Sequence, residues 1–322
     1  MLPGIAFAVI AAGVLLTVLA GVLIEQLVRY ISWKFRMETV GVAAIFAPVM
    51  TSFPELATYI VALAHGEVEI AWGSIVAQPF MASTIIYPLA VLASLVCWAL
   101  KRRRTAVPRV DRIIAVPLLT FAAPLLPLPL TSEAASAHAR LYGAALLALY
   151  FAYARFMLRE KRGVEAARVA LKLGNPVFQA LTAILSLYLG CEILVSGIKA
   201  LGETLKVDKL ALSIVLVPIA TALPESIVGL VFLARGRDSE GVSAIVGEKA
   251  LYSTFYPGVA MLLGTYSIEP AAASALLIAI MVSAAEAAIV VLSRNFGLTA
   301  PVGLAGYVYY ITCCLGSRHI VI

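Results

Sequence analysis

Two glutamates stand inside long apolar segments, each close to hydroxyl side chains and a proline. The segments read Pro48-Val-Met-Thr51-Ser52-Phe-Pro54-Glu55 and Pro218-Ile-Ala-Thr221-Ala222-Leu-Pro224-Glu225. Residues three and four apart share one face of a helix, so Thr51 and Ser52 are expected beside Glu55. By the same spacing, Thr221 is expected beside Glu225. Each segment therefore offers a carboxylate and at least one hydroxyl on a single helical face.

The prolines add backbone oxygens to this set. Proline has no N–H, so Pro54 deprives the carbonyl of Met50 of its helical partner. Pro224 has the same effect on the carbonyl of Ala220. Ca²⁺ binds 6–8 oxygen ligands, which one segment alone cannot supply but two facing segments can. The pattern predicts one cation site, with Glu55 and Glu225 as its metal-binding carboxylates.

The two segments belong to an internal repeat. Glu55 and Glu225 are 170 residues apart, and the same offset relates Ile75-Val76 to Ile245-Val246. The offset covers five predicted membrane spans, and an odd number of spans places the two copies in opposite orientations. Such inverted repeats are typical of secondary transporters, whose substrate site lies near the membrane midplane between the halves.

Composition indicates that these elements lie in a membrane. Of the 322 residues, 62% are hydrophobic and only 13% are charged, against roughly 25% charged in soluble domains. This excludes a cytosolic enzyme, a secreted disulfide scaffold and a disordered chain. The first apolar run continues to about Val28 and is interpreted as a membrane helix rather than a signal peptide.

The sequence predicts an all-α integral membrane protein with ten transmembrane helices in two inverted five-helix repeats. A span needs about 20 apolar residues. The predicted spans are 4–28, 40–64, 70–100, 111–130, 138–158, 175–200, 210–234, 242–267, 270–293 and 298–317. The corresponding units are a first repeat over 1–158, a basic link over 159–173 and a second repeat over 174–322.

The basic residues give the orientation. The links on one side of the ten-span arrangement hold 18 Lys and Arg, and those on the other side hold five. Positive residues accumulate in cytoplasmic links, so the 159–173 link is predicted to be cytoplasmic and both termini outside, in the plasma membrane. The same clustering explains the net charge of +6 without a nucleic-acid partner. Glu25, Glu192 and Glu286 lie toward span ends and are expected at the membrane interface.

Thr51-Ser52-Phe-Pro54-Glu55 and Thr221-Ala222-Leu-Pro224-Glu225 resemble the paired motifs of the sodium/calcium exchanger family, in the calcium/cation antiporter superfamily. The resemblance implies ten helices in two inverted halves. It also implies that Glu55 and Glu225 are the central cation-binding carboxylates, with Thr51, Ser52 and Thr221 as neighbouring ligands.

The following helix in each half departs from the family pattern. Gln78 and Glu248 replace serine ligands, and Ala82 and Tyr252 replace Asn or Asp ligands. Ala222 likewise replaces a serine. Several side-chain oxygens that the resemblance implies for sodium binding are therefore missing.

Lys249 is a further departure, because it places an amine inside an apolar span. One interpretation is that it pairs with the adjacent Glu248 or extends its amine toward the membrane surface. The other is that it acts as a tethered cation that takes part of the site and competes with sodium or a proton. Gln78, Glu248, Lys249 and Tyr252 are thus candidates for altered ion coupling.

Three functions follow from these observations. The first is a sodium/calcium-exchanger-type antiporter that moves Ca²⁺ or a related cation by alternating access. The second is a proton-coupled cation exchanger that uses Glu248 and Lys249, and the third is a transport-inactive homologue. No serine-protease, metalloprotease or P-loop pattern suggests an enzyme. The expected partners are the lipid bilayer and the transported Ca²⁺, Na⁺ or H⁺; no cofactor or protein partner is inferred.

Overall fold

The computed structural model describes residues 3–52, 68–120, 136–158, 169–204, 217–264 and 270–315, with positions 56, 59, 60, 65, 66 and 124. These residues are helical apart from turns, links and an isolated antiparallel bridge between Arg109 and Asn295. The prediction of an all-α protein is confirmed for this part of the chain.

The helices are numbered in chain order. They are α1 Pro3–Phe35, α2 Thr39–Thr51, α3 over 68–99, α4 Ala115–Thr120, α5 Ser136–Met157, α6 Pro176–Thr204, α7 Val217–Ala234, α8 over 238–262, α9 Pro270–Ser293 and α10 over 299–315. Three of them contain a π-helical segment, at Ala82–Ile86 in α3, Leu251–Phe255 in α8 and Tyr310–Leu315 in α10.

Most predicted spans coincide with these helices, although ten membrane crossings remain a prediction. Among the described residues, four helical stretches are long and apolar enough to cross a bilayer: Gly4–Phe35, Ala77–Ala99, Pro176–Gly202 and Ala273–Ser293. Parts of the spans predicted at 40–64, 111–130 and 210–234 lie outside the described residues. Helix α1 is longer than predicted, because Arg29 and Lys34 continue it rather than forming a link.

Two groups of helices determine the architecture. Helices α1 and α6 pack along each other, while α2, α3, α7 and α8 meet one another around the predicted site. The backbones of α2 and α8 come very close at Gly247, where an added Cβ would lie 2.0 Å from the carbonyl oxygen of Ala44. Only glycine permits this approach, which brings the middle of α2 against the middle of α8.

An ion pair with a buried carboxylate connects α1 with the residue that follows α7. The side chain of Glu25 is fully buried and lies 2.5 Å from Arg235 Nη1 and 3.6 Å from Arg29 Nη1. The interfacial position of Glu25 stays a prediction, and the protein itself encloses its carboxylate. The contact joins the α1–α6 pair to the group of helices around the site.

The basic link after α3 is also tied to the second half of the chain. Arg103 has a buried side chain and donates to Asp238 Oδ1 at 2.8 Å and to the carbonyl of Leu233 at 3.2 Å. The backbone N–H of Arg109 donates to Asp238 Oδ2 at 2.8 Å. These bonds anchor the link to the beginning of α8.

Gly247→Ala is expected to destabilise the protein by about 1–3 kcal/mol, because the new methyl group forces α2 and α8 apart. The measurement is the thermal unfolding of the purified protein in detergent. Gly4→Ala is the matched control, since an added Cβ there meets nothing within 4 Å. Equal melting temperatures for the two variants would contradict the close packing of α2 on α8.

Candidate functional site

Glu225 lies in the middle of α7 and is almost completely buried. Its Oε1 accepts two hydrogen bonds, one from Gln78 Nε2 at 2.8 Å and one from the Tyr252 hydroxyl at 3.1 Å. Gln78 belongs to α3 and Tyr252 to α8, so one carboxylate oxygen joins three helices. The structure thus brings three of the sequence-predicted residues together.

Glu248 is the second buried carboxylate of the described site. The Thr51 hydroxyl, at the end of α2, donates to Glu248 Oε1 at 3.1 Å and also lies 3.0 Å from the carbonyl oxygen of Ala47. Both side chains are buried. This contact places a sequence-predicted ligand of the first repeat against a sequence-predicted residue of the second.

A pair of tyrosines extends the polar array. The Tyr256 hydroxyl and Ser52 Oγ are 2.8 Å apart, and the rings of Tyr252 and Tyr256 lie 4.8 Å apart. Ser52 therefore shares its hydrogen bond with a hydroxyl of α8. Tyr256 was not predicted as a site residue; the sequence signal that could have identified it is the Tyr256-Pro257 pair.

The internal repeat continues beyond the segments identified from the sequence. Ser83-Thr84 and Ser253-Thr254 keep the 170-residue offset, and Tyr-Pro pairs follow at Tyr87-Pro88 and Tyr256-Pro257, with the offset one residue shorter. The two Ser-Thr pairs lie in the π-helical segments of α3 and α8. Such segments occur frequently at functional sites, and these two border the buried polar groups.

Lys249 is buried and points away from the carboxylates of this array. Successive residues of a helix are rotated by about 100°, so Lys249 and its neighbour Glu248 face different helices. The ammonium donates to Ser83 Oγ at 2.6 Å and to Ser283 Oγ. Neither Glu248 nor the membrane surface is therefore its partner, in contrast to the simpler interpretation of the sequence.

Glu286 interacts electrostatically with Lys249 and is fully buried. Its interfacial position stays a prediction, and α9 turns its side chain toward the protein interior rather than toward lipid or water. Sequence reasoning missed Ser83, Ser283 and Glu286. The signal for the last two is their i,i+3 spacing, which places both on one face of α9.

Glu55 and Thr221 are the remaining carboxylate and hydroxyl predicted as cation ligands. Glu55 lies outside the described residues, and Thr221 lies in α7 one turn before Glu225. Within the described ranges, no three His, Cys, Asp or Glu side chains are grouped to hold a metal ion. The described part of the site thus supplies Glu225, Glu248 and hydroxyl oxygens, but not a full set of acidic ligands.

Buried carboxylates surrounded by hydroxyls, in a predominantly apolar helical protein, are typical of a transporter that binds cations inside the membrane. Comparison with known protein families identifies the kind of transporter. The model of the family described as sodium/calcium exchanger protein matches residues 5–159 and 176–317. The chain belongs to this family of cation antiporters, which confirms the resemblance seen in the sequence.

Solved structures give the same fold. The sodium-calcium exchanger NCX_Mj, soaked with 100 mM Na⁺ and 10 mM Sr²⁺, matches with a TM-score of 0.72 at 15% identity, over 97% of this chain and 99% of that chain. The same exchanger soaked with zero Na⁺ and Ca²⁺ matches with a TM-score of 0.73 at 16% identity, over 95% and 98%. The search of curated proteins gives no match.

Tyr252→Phe is expected to lower the free energy of unfolding by about 1–3 kcal/mol, because it removes a hydrogen bond from the buried Glu225 carboxylate. Thermal unfolding in cation-free detergent buffer measures this loss. Tyr188→Phe, at a partly exposed position of α6, is the control and should leave the melting temperature unchanged. An unchanged value for Tyr252→Phe would argue against the hydrogen bond.

Proposed function

We propose that this protein is a secondary active antiporter that carries Ca²⁺ or a related cation through a site near the membrane midplane between Glu55 and Glu225. The observation that carries the proposal is the burial of Glu225 at the meeting point of α3, α7 and α8. An ionised side chain inside a membrane protein is costly and is retained for function. Membership of the exchanger family gives the transport class.

The ligand set combines oxygens from both repeats. Thr51, Ser52 and Thr221 accompany the two carboxylates as neighbouring ligands, and Glu248 adds a further carboxylate on the Thr51 side. A divalent ion between Glu55 and Glu225 would be balanced by their two negative charges. Gln78 and Tyr252 hold the Glu225 carboxylate in place through hydrogen bonds to its Oε1.

Alternating access requires part of the protein to move past the site. In this proposal α1 and α6 slide across α2, α3, α7 and α8, within ten spans arranged as two inverted repeats. The packing of α1 along α6 supports their movement as a unit. The Glu25–Arg235 ion pair then has to break or exchange partners, since it joins α1 to α7.

A second candidate is proton-coupled cation exchange. It is favoured by the buried Glu248 and by Lys249, the buried amine at the next position of α8. Ca²⁺ uptake into vesicles containing the purified protein distinguishes the candidates. Uptake driven by a sodium gradient supports the first, uptake driven only by a pH gradient supports the second, and no uptake indicates a transport-inactive homologue.

Glu55→Gln and Glu225→Gln are each expected to abolish stabilisation by Ca²⁺ while leaving the protein folded. Each substitution keeps the side-chain volume but removes one of the two charges that balance the divalent ion. The measurement is the shift in melting temperature on adding CaCl₂. Glu192→Gln is the control, because Glu192 lies on α6 away from the site. A normal shift in either site variant would refute the assignment.

Opposite orientation of the two halves predicts a specific labelling pattern. In a variant without its native cysteines, Arg162→Cys should react with a membrane-impermeant thiol reagent only from the cytoplasmic side. Lys206→Cys should react only from outside, because the basic link is predicted to be cytoplasmic. Labelling of both positions from one side would refute the predicted topology.

A further inference from the structure

A second buried polar cluster lies beside the proposed transport site but faces away from it. It consists of Lys249 on α8, Ser83 on α3, and Ser283 and Glu286 on α9. All four side chains have at most 1% of their surface exposed. None of these residues belongs to the Glu55–Glu225 site proposed above.

The geometry around Lys249 is that of a bound cation. Its ammonium donates to Ser83 Oγ at 2.6 Å and to Ser283 Oγ, and these two hydroxyl oxygens are 3.0 Å apart. Each serine is also close to a helix carbonyl, that of Pro79 for Ser83 and that of Ala279 for Ser283. Hydroxyl oxygens that give their protons to carbonyls present lone pairs to the positive charge.

Glu286 supplies the balancing negative charge. Its carboxylate interacts electrostatically with Lys249, although the two groups form no direct ion pair. Neither of its oxygens accepts a hydrogen bond from any residue that the structure describes. A buried carboxylate and ammonium are tolerated together because each compensates part of the desolvation cost of the other.

The lysine of this cluster has no counterpart in the first repeat. The 170-residue offset relates Lys249 to Pro79, which has no charge. The approximate symmetry of the two halves is therefore broken at one position, where a covalently attached cation is introduced. A lysine that only filled space would require neither two hydroxyl acceptors nor a buried carboxylate.

We infer that Ser83, Ser283 and Glu286 form a second cation site whose resident cation is the Lys249 ammonium, and that the site binds a monovalent inorganic cation when the lysine is shortened. Oxygens and one carboxylate match the charge of such an ion. A consequence, which rests on the proposed function, is that the intact protein needs one monovalent coupling ion fewer than a chain without this lysine.

The test uses the full-length protein in the Glu225→Gln background, so that sodium binding at the proposed transport site does not contribute. Lys249→Ala is compared with Lys249→Met, whose long uncharged side chain fills the space of the lysine. Melting temperatures are measured in NaCl, KCl and choline chloride at equal ionic strength. Lys249→Ala should gain a saturable rise of about 3 °C or more with Na⁺ or K⁺, and Lys249→Met should not.

Adding Glu286→Gln to Lys249→Ala should abolish that rise, because the carboxylate that balances the ion is lost. If Lys249→Ala does not fold in choline chloride, recovery of folded protein by size-exclusion chromatography replaces the melting temperature. Recovery only in NaCl or KCl supports the site. Equal behaviour in all three salts, or a response that persists without the Glu286 charge, overturns it. Neither result affects the separate Ca²⁺ test of Glu55 and Glu225.

Discussion

The structure depends on placing ionisable side chains where neither water nor lipid can solvate them. Glu225, Glu248, Lys249 and Glu286 are all buried, and the effective cost of burying an isolated ion is several kcal/mol. The protein offsets this cost through polar contacts that come from other helices. The helices around the site must therefore meet in one arrangement, because each charge depends on a donor, acceptor or opposite charge that another helix carries.

Two adjacent residues of α8, Glu248 and Lys249, contact different helices. Glu248 faces α2 and accepts from Thr51, whereas Lys249 faces α3 and α9 and donates to Ser83 and Ser283. One helical turn thus contributes a carboxylate to the proposed transport site and an amine to a neighbouring cluster. The rotation of about 100° between neighbours keeps these opposite charges from simply neutralising each other.

Permanent donors and transported cations compete for the same kind of oxygen. Gln78 and Tyr252 already donate to Glu225 Oε1, at positions where the family pattern has ligands for ions. Each such donor stabilises the ionised carboxylate in the absence of a cation. In this protein, N–H, O–H and ammonium groups of the chain therefore provide part of the stabilisation of the buried carboxylates. Bound ions would provide it in a site with more oxygen ligands.

The sequence alone determined the class of protein, the helical architecture and one buried carboxylate. Long apolar segments have few alternatives to membrane helices, and the repeated Thr, Pro and Glu pattern identified Glu225 because its spacing is local to one helix. The family resemblance then indicated that Gln78, Glu248, Lys249 and Tyr252 were important, without giving their contacts.

Only the tertiary structure decided which charge meets which partner. Glu286 looked interfacial from its place near the end of a span, and Lys249 looked paired with its neighbour Glu248. Their actual environments depend on how α3, α8 and α9 are rotated about their axes, and periodicity along one helix does not report the face that a different helix presents. The pairing of Lys249 with Ser83 joins residues 166 positions apart, so it follows from helix packing and not from local spacing.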